Sequence, residues 1–256
     1  MRLLLLGGTN EARLLARELH QRGIDLVYSI AGLVRQPDLP CEVISGGFSA
    51  LGGLENYLRD AGITRVLDAT HPYAVRMSRN AVEACAAAGV PCWRYLRPAW
   101  QAQENDNWHE FASWRDLELA LIDHHAVLFT MGRLDPDFVE ALYHSTMDYA
   151  QKQWQRSATK PAFKLPPSMT WIESIGPFNL DAERELMQRH GIDALVSKNS
   201  GGDQAAAKLE IARERGIPVY MLKREPLPDV EREFDRVETC CEALLEAHAS
   251  ETRNAD

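Results

Sequence analysis

The chain lacks any cysteine pattern that would hold a metal or a disulfide framework. Cys41, Cys85, Cys92, Cys240 and Cys241 are an odd number with no CxxC pair, so free, buried thiols in a reducing compartment are expected. Long apolar runs are missing too. None reaches the ~18–20 residues of a membrane span, and "MRLLLLGGTNEAR" meets Gly-Gly after four leucines, short of the ~7–15-residue core of a secretion signal. A cytoplasmic protein is expected. Positive charge is scarce: 28 Lys and Arg face 37 Asp and Glu, for a net charge of −9. That excludes general nucleic-acid binding, which rests largely on phosphate neutralisation, but not an anionic ligand met by a local cluster of cations. No Gly-x-Gly-x-x-Gly fingerprint and no Tyr-x-x-x-Lys pair occur, which disfavours a short-chain or sugar-nucleotide reductase.

What is present is an alternation. At 256 residues with 45% apolar and 25% charged residues, the chain is an ordinary globular protein of one large domain or two small ones. Over the first hundred residues, "RLLLLGG", "IDLVYSIAG", "CEVISGG", "TRVLDAT" and "VPCWRYLR" read as strands. "NEARLLARELHQRG", "SALGGLENYLRDAG" and "HPYAVRMSRNAVEACAAAG", opened by Pro72, read as helices. Strand–helix–strand spacing of this kind means parallel βαβ units with a sheet covered on both faces. "PAWQAQENDNWHEF" has no clear period and is taken as the join. The rhythm then resumes, interrupted by an ambiguous basic stretch over 146–167. A last helix is expected from Phe234 to His248. The fold expected is α/β, two Rossmann-like parallel-sheet domains facing each other across a cleft: residues 1–97, residues 98–250, and a frayed tail at 251–256.

Several strands end in polar or glycine-bearing loops. "LLLLGGTNEA" would offer backbone N–H groups and a helix N-terminus to a phosphate; a tight turn that needs glycine for steric reasons fits the motif equally well. The second strand ends without the acidic residue that usually meets the ribose of NAD and leads instead to Arg35, which favours the 2′-phosphate of NADP. "DATHPYA" ends the fourth strand. In a 3-2-1-4-5 strand order it lies beside the glycine loop at the switch point where ligands bind, presenting Asp68, Thr70 and His71; either Thr70 or His71 could also cap the next helix. "TMGR" and "IGPF" place glycine at strand-to-helix corners, with Arg133 in the first. "LVSKNSGG" combines Lys198, Asn199, Ser200, Gly201 and Gly202, more polar equipment than a turn requires, so ligand binding is favoured there.

In this order and spacing the motifs resemble the precorrin-6A reductase family of cobalamin (vitamin B12) biosynthesis. The resemblance runs to about Pro228 through "SIAGLVRQP", "VLDATHPYA", "RYLRPAW", "TMGR", "GPF" and "HGIDALVSKNSGG". It implies an oxidoreductase that uses NADPH to reduce a double bond of the tetrapyrrole precorrin-6A, giving precorrin-6B. Carried onto this sequence, Gly7, Gly8 and Thr9 would take the cofactor phosphates, with Glu11 also binding the cofactor. Arg35 would lie near the 2′-phosphate, and Thr70 and His71 near the nicotinamide. Asn199, Ser200 and Gly201 would also contact the cofactor. Arg97, Arg133, Lys198 and Gly202 would meet the substrate, with His71 and Lys198 as catalytic candidates and no metal. The "LVSKNSGG" form resembles the metal-free branch of the pathway more than the cobalt branch. A carrier that binds nucleotide or tetrapyrrole without turnover is the rival from another class.

Overall fold

A computed structural model describes residues 1–31, 37–132, 134–145 and 151–253. The chain divides into two compact units, residues 1–98 with 225–256, and residues 99–224.

In the first unit the elements run β1 (Arg2–Leu6), α1 (Asn10–Gln21), β2 (Asp25–Ile30), β3 (Glu42–Ser45), α2 (Leu54–Asp60), β4 (Arg65–Asp68), α3 (Val75–Ala88) and β5 (Cys92–Tyr95). After the second unit the chain returns for β12 (Arg232–Phe234) and α8 (Val237–Arg253). The six strands are parallel, in the order β12-β5-β4-β1-β2-β3. The four leucines of β1 explain themselves by period two. Leu3 and Leu5 pack against α1 and α8, and Leu4 and Leu6 against α2 and α3. The helix after β1 and the helix after β4 therefore lie on opposite faces, which makes the carboxyl ends of this neighbouring pair the switch point of the sheet.

The second unit runs β6 (Trp108–Phe111), α4 (Trp114–Ala120), β7 (Ala126–Phe129), α5 (Pro136–Ser145), β8 (Lys152–Ser157), β9 (Met169–Glu173), α6 (Leu180–Arg189), β10 (Ala194–Lys198), α7 (Ala207–Glu214) and β11 (Val219–Leu222). Its parallel sheet has the order β6-β11-β10-β7-β8-β9. Element for element this repeats the first sheet, with β7 in the place of β1 and β10 in the place of β4. Val127 and Phe129 face α4 and α5, while Ala126 and Leu128 face α6 and α7. One strand-and-helix pair differs in its position along the chain. In the second unit, β6 and α4 come first; in the first unit, the corresponding β12 and α8 come last.

The α/β class, the two parallel sheets and the expected 3-2-1-4-5 order hold. Several boundaries are corrected. Residues 225–253 belong to the first unit, and the chain passes into the second between Pro98 and Ala99. The polar join contains β6, and the ambiguous stretch contains β8; Thr146–Ala150 lie outside the described residues. Phe234 ends a strand rather than starting the last helix, and that helix continues to Arg253; 254–256 lie outside the described residues. The expected helix over "SALGGLENYLRDAG" is broken by Gly52 and Gly53 at φ of +77° and +97°, leaving a 3₁₀ turn at Phe48–Leu51 and then α2.

Candidate functional site

The loop after β1 is held from three directions. The Gly7 N–H donates to the Ser29 carbonyl at 2.8 Å. The Gly8 N–H donates to the Tyr28 hydroxyl at 2.9 Å. A Cβ on Gly7 would lie 2.2 Å from Cζ of the Tyr28 ring, so this glycine is required by close packing on a buried tyrosine. Gly8 is different: its φ is +114° and a Cβ there would meet nothing within 4 Å. Thr9 caps α1, its hydroxyl accepting from the Ala12 N–H at 3.1 Å and donating to the Ala69 carbonyl at 3.1 Å. One hydroxyl thus completes the helix start and ties the ends of β1 and β4 together. The N–H groups of Asn10 and Glu11, in the first turn, have no partner within the helix by geometry. Both oxygens of the Glu11 carboxylate accept from Arg97 Nη1, at 3.1 and 3.0 Å, so two expected ligand-binding residues meet each other.

The loop after β4 rests on a ladder of charge across three parallel strands. Asp68 Oδ1 accepts from the Thr70 N–H at 3.1 Å and the Thr70 hydroxyl at 2.6 Å. Its Oδ2 faces Arg94 Nε at 3.5 Å, and Arg94 Nη1 reaches Glu233 Oε2 on β12 at 3.1 Å. Asp68 and Arg94 are 2% and 3% exposed, so this pair sits in low dielectric where each charge needs the other. Thr70 and His71 do not cap α3. The helix begins at Val75 with Ala74 at its N-cap, after a turn in which the Ala74 N–H donates to the His71 carbonyl at 2.7 Å. His71 Nδ1 accepts from the Tyr73 N–H at 3.3 Å. Beside these loops, at the carboxyl ends of β2 and β3, lies a pocket of about 1130 Å³ lined in part by Ser29, Ala31, Gly46, Tyr73, Arg76 and Arg79.

In the second unit, the loop after β10 is the counterpart of the loop after β4. Gly201 and Gly202 sit at φ of +70° and +78°, a region that only glycine enters freely. A 3₁₀ turn over Asp203–Ala205 precedes α7, so the glycines open a turn, not the helix itself. Asn199 is buried and uses both ends of its amide on Trp100: Oδ1 accepts the Trp100 N–H at 2.8 Å, and Nδ2 donates to the Trp100 carbonyl at 3.0 Å. Lys198 and Ser200 are half-buried. Near Lys208 on α7, itself nearly solvent-free, is a buried ion pair in which Arg156 Nη1 meets Glu183 Oε1 at 2.5 Å. Burial pulls the Lys208 ammonium down to about 7; Arg156 adds to the shift and Glu183 opposes it. In "TMGR", the Thr130 hydroxyl donates to the Val196 carbonyl at 3.1 Å. Arg35 and Arg133 lie outside the described residues.

The sequence model of one family, described as precorrin-6x reductase CbiJ/CobK, matches residues 2–245. The chain belongs to that family. It is 40% identical over 241 residues to a precorrin-6A reductase of Rhodococcus erythropolis, covering 92% of this chain and 94% of that one. It is 35% identical over 235 residues to a cobalt-precorrin-6A reductase of Salmonella typhimurium, covering 88% of each. Among solved structures, a precorrin-6A reductase described as CobK has a TM-score of 0.84 at 33% identity, with 96% of each chain covered. The family is one of oxidoreductases of cobalamin biosynthesis, as the resemblance implied, and the two parallel sheets match the solved fold.

Sequence reasoning missed Tyr28, Arg94, Trp100 and Glu233, which hold the loops without belonging to them. Arg94 carried the one signal available: a cation inside "CWRY", a strand otherwise suited to burial on both faces.

Proposed function

We propose that this chain is an NADPH-dependent precorrin-6A reductase, adding hydride to one end of a conjugated double bond of the macrocycle and a proton to the neighbouring carbon to give precorrin-6B. The observation that carries the reading is the loop pair at the switch point of the first sheet, in a chain of this family. Gly8 leaves open space beside the N-terminus of α1, room that a Cβ would fill, and this suits a phosphate. NADPH, when bound, supplies the hydride. The N–H groups of Thr9, Asn10 and Glu11 and the α1 dipole hold its phosphates, with the Thr9 hydroxyl and Gly7 fixing the shape of that cradle. The pocket beside Ala31 takes the adenosine half, and Arg35, four residues further on, meets the 2′-phosphate with help from the exposed Arg76. Thr70, oriented by Asp68, and His71 serve the nicotinamide end.

In the second unit, Lys198, Ser200, Gly201 and Gly202 hold anionic and carbonyl groups of cofactor and substrate, while Asn199 shapes their loop. Lys198 and Arg133 are the cations offered to the substrate's acetate and propionate carboxylates; Arg97 joins them only by exchanging Glu11. The metal-free substrate is favoured by the form of "LVSKNSGG".

The test is a titration with NADPH and NADH followed by nicotinamide fluorescence, then addition of precorrin-6A or its cobalt form while absorbance at the nicotinamide band is followed. Tight NADPH binding, with oxidation only when precorrin-6A is present, is expected. Faster oxidation with the cobalt form reassigns the branch, and binding without oxidation leaves a carrier. Arg35→Ala should weaken NADPH at least about tenfold and leave NADH unchanged, the loss of one charge-assisted contact; equal effects on both would remove Arg35 from the 2′-phosphate.

A further inference from the structure

Trp100 has no part in the family motifs as ligand chemistry, yet three of its polar groups are spent on the loop after β10. Its N–H and C=O are both taken by the Asn199 amide, and its indole Nε1–H donates to the Gly202 carbonyl at 2.9 Å. The Lys208 ammonium lies 5.3 Å from the centroid of the indole ring, on the helix that the loop leads into, within cation–π range. From the other side Arg224 Nε donates to the Asn199 carbonyl at 2.8 Å.

Trp100 is the second residue after the chain enters the second unit, and Arg224 is the last before it leaves. The loop is therefore bound to both connecting segments. Left to itself it would be soft, since two successive glycines in the left-handed region lose more conformational freedom on ordering than any other residue type.

We propose that Trp100 is a positioning residue of the reductase: it staples Asn199 and Gly202 so that Lys198, Ser200 and Gly201 present their donors in one fixed arrangement. This deepens the function proposed above and rests on it. The bonds run to both ends of the glycine-bearing segment, and every one is lost or weakened if Trp100 shifts. Positioning of this kind acts on the reaction through the geometry of other groups, so it shows itself in turnover more than in global stability.

The experiment compares wild type with Trp100→Phe and Trp100→Ala by amide hydrogen exchange of the segment 198–202 and by kcat and KM for precorrin-6A with NADPH. Trp100→Ala should raise exchange in that segment about tenfold or more and lower kcat by a similar factor, the scale of one or two lost hydrogen bonds. Trp100→Phe keeps the ring and the main-chain bonds and loses only the indole donor, so it should recover most of both readouts. Protection of 198–202 unchanged in folded Trp100→Ala overturns the staple; protection lost with kcat unchanged overturns the positioning role. Should Trp100→Ala fail to fold, Trp100→Phe decides: it must raise exchange across the segment 198–202 by about threefold or more, the scale of one lost neutral bond, or the inference falls. Exchange needs no substrate, so a wild type that does not oxidise NADPH with precorrin-6A sinks the function while the staple is judged separately.

Discussion

The loops after β4 and β10 occupy the same place in two sheets of the same strand order, and they are held by opposite means. The loop "DATHP" contains no glycine. Asp68 fixes it locally through two bonds to Thr70, and the buried Asp68–Arg94 pair reaches out to Glu233 on the returning strand. The loop "SKNSGG" has two glycines in the left-handed region, and neutral bonds to Trp100 hold it from outside. Equal topology thus places a loop but does not decide how firmly it is held. A loop resting on buried charge fails together with its sheet, whereas a loop held by amide and indole bonds loses its shape while the sheet survives.

The largest test of that contrast is Arg94→Met. It strands the Asp68 carboxylate in a nearly solvent-free site and should cost about 3–5 kcal/mol in urea unfolding, with activity lost as the loop relaxes. Glu233→Ala, which removes only the half-exposed end of the ladder, should cost under about 1 kcal/mol. Similar costs for the two would mean that the ladder is not anchored at Asp68.

Lys208 gives the next effect, in the second unit. Its folded value of about 7 lies below the ordinary 10.5, so between those limits the unfolded chain binds the extra proton. The cost of burying the ammonium is complete below about pH 7, shrinks as pH rises, and is gone near 10.5. Lys208→Met should therefore be more stable than the parent by about 2–4 kcal/mol at pH 7, with the gap closing by pH 10. Urea midpoints of both proteins at the two pH values measure it, and a gap that widens with pH would refute the assignment.

The smallest effect separates the two threonines at corresponding strand ends. Thr9→Ala loses a helix cap as well as the bond to Ala69, for about 1–2 kcal/mol. Thr130→Ala loses one bond to the Val196 carbonyl, for about 1 kcal/mol or less. Thermal shifts in that order are expected.

Much of this was legible. The apolar runs of β1, β7 and β10 are buried on both faces, so their composition alone announces them. The glycine loop, "DATHP" and "SKNSGG" stand out because polar residues follow directly on those runs. Short strands at the edge or in polar sequence escaped. "WHEF" and "REF" are three or four residues of mixed polarity, and nothing local says which sheet receives them. Strand β8, "KQWQRS", is read as polar although its glutamines are buried: Gln153 is bonded through Gln151 to the carbonyls of Leu121 and His124, and Gln155 donates to the Met131 carbonyl. Arg97 and Glu11 each read as a ligand residue, and only their meeting in space shows that they first satisfy each other.

By itself the sequence determined the α/β class, the parallel order around β1 and the positions of the ligand-facing loops, because hydrophobic period and glycine placement are local properties. The tertiary structure alone decided which sheet each edge strand joins, that the last helix closes the first unit, and what braces each loop. Those outcomes depend on partners far apart along the chain: Asp68 with Arg94 and Glu233, and Trp100 with Asn199 and Gly202. No local pattern encodes a bond to a residue a hundred positions away.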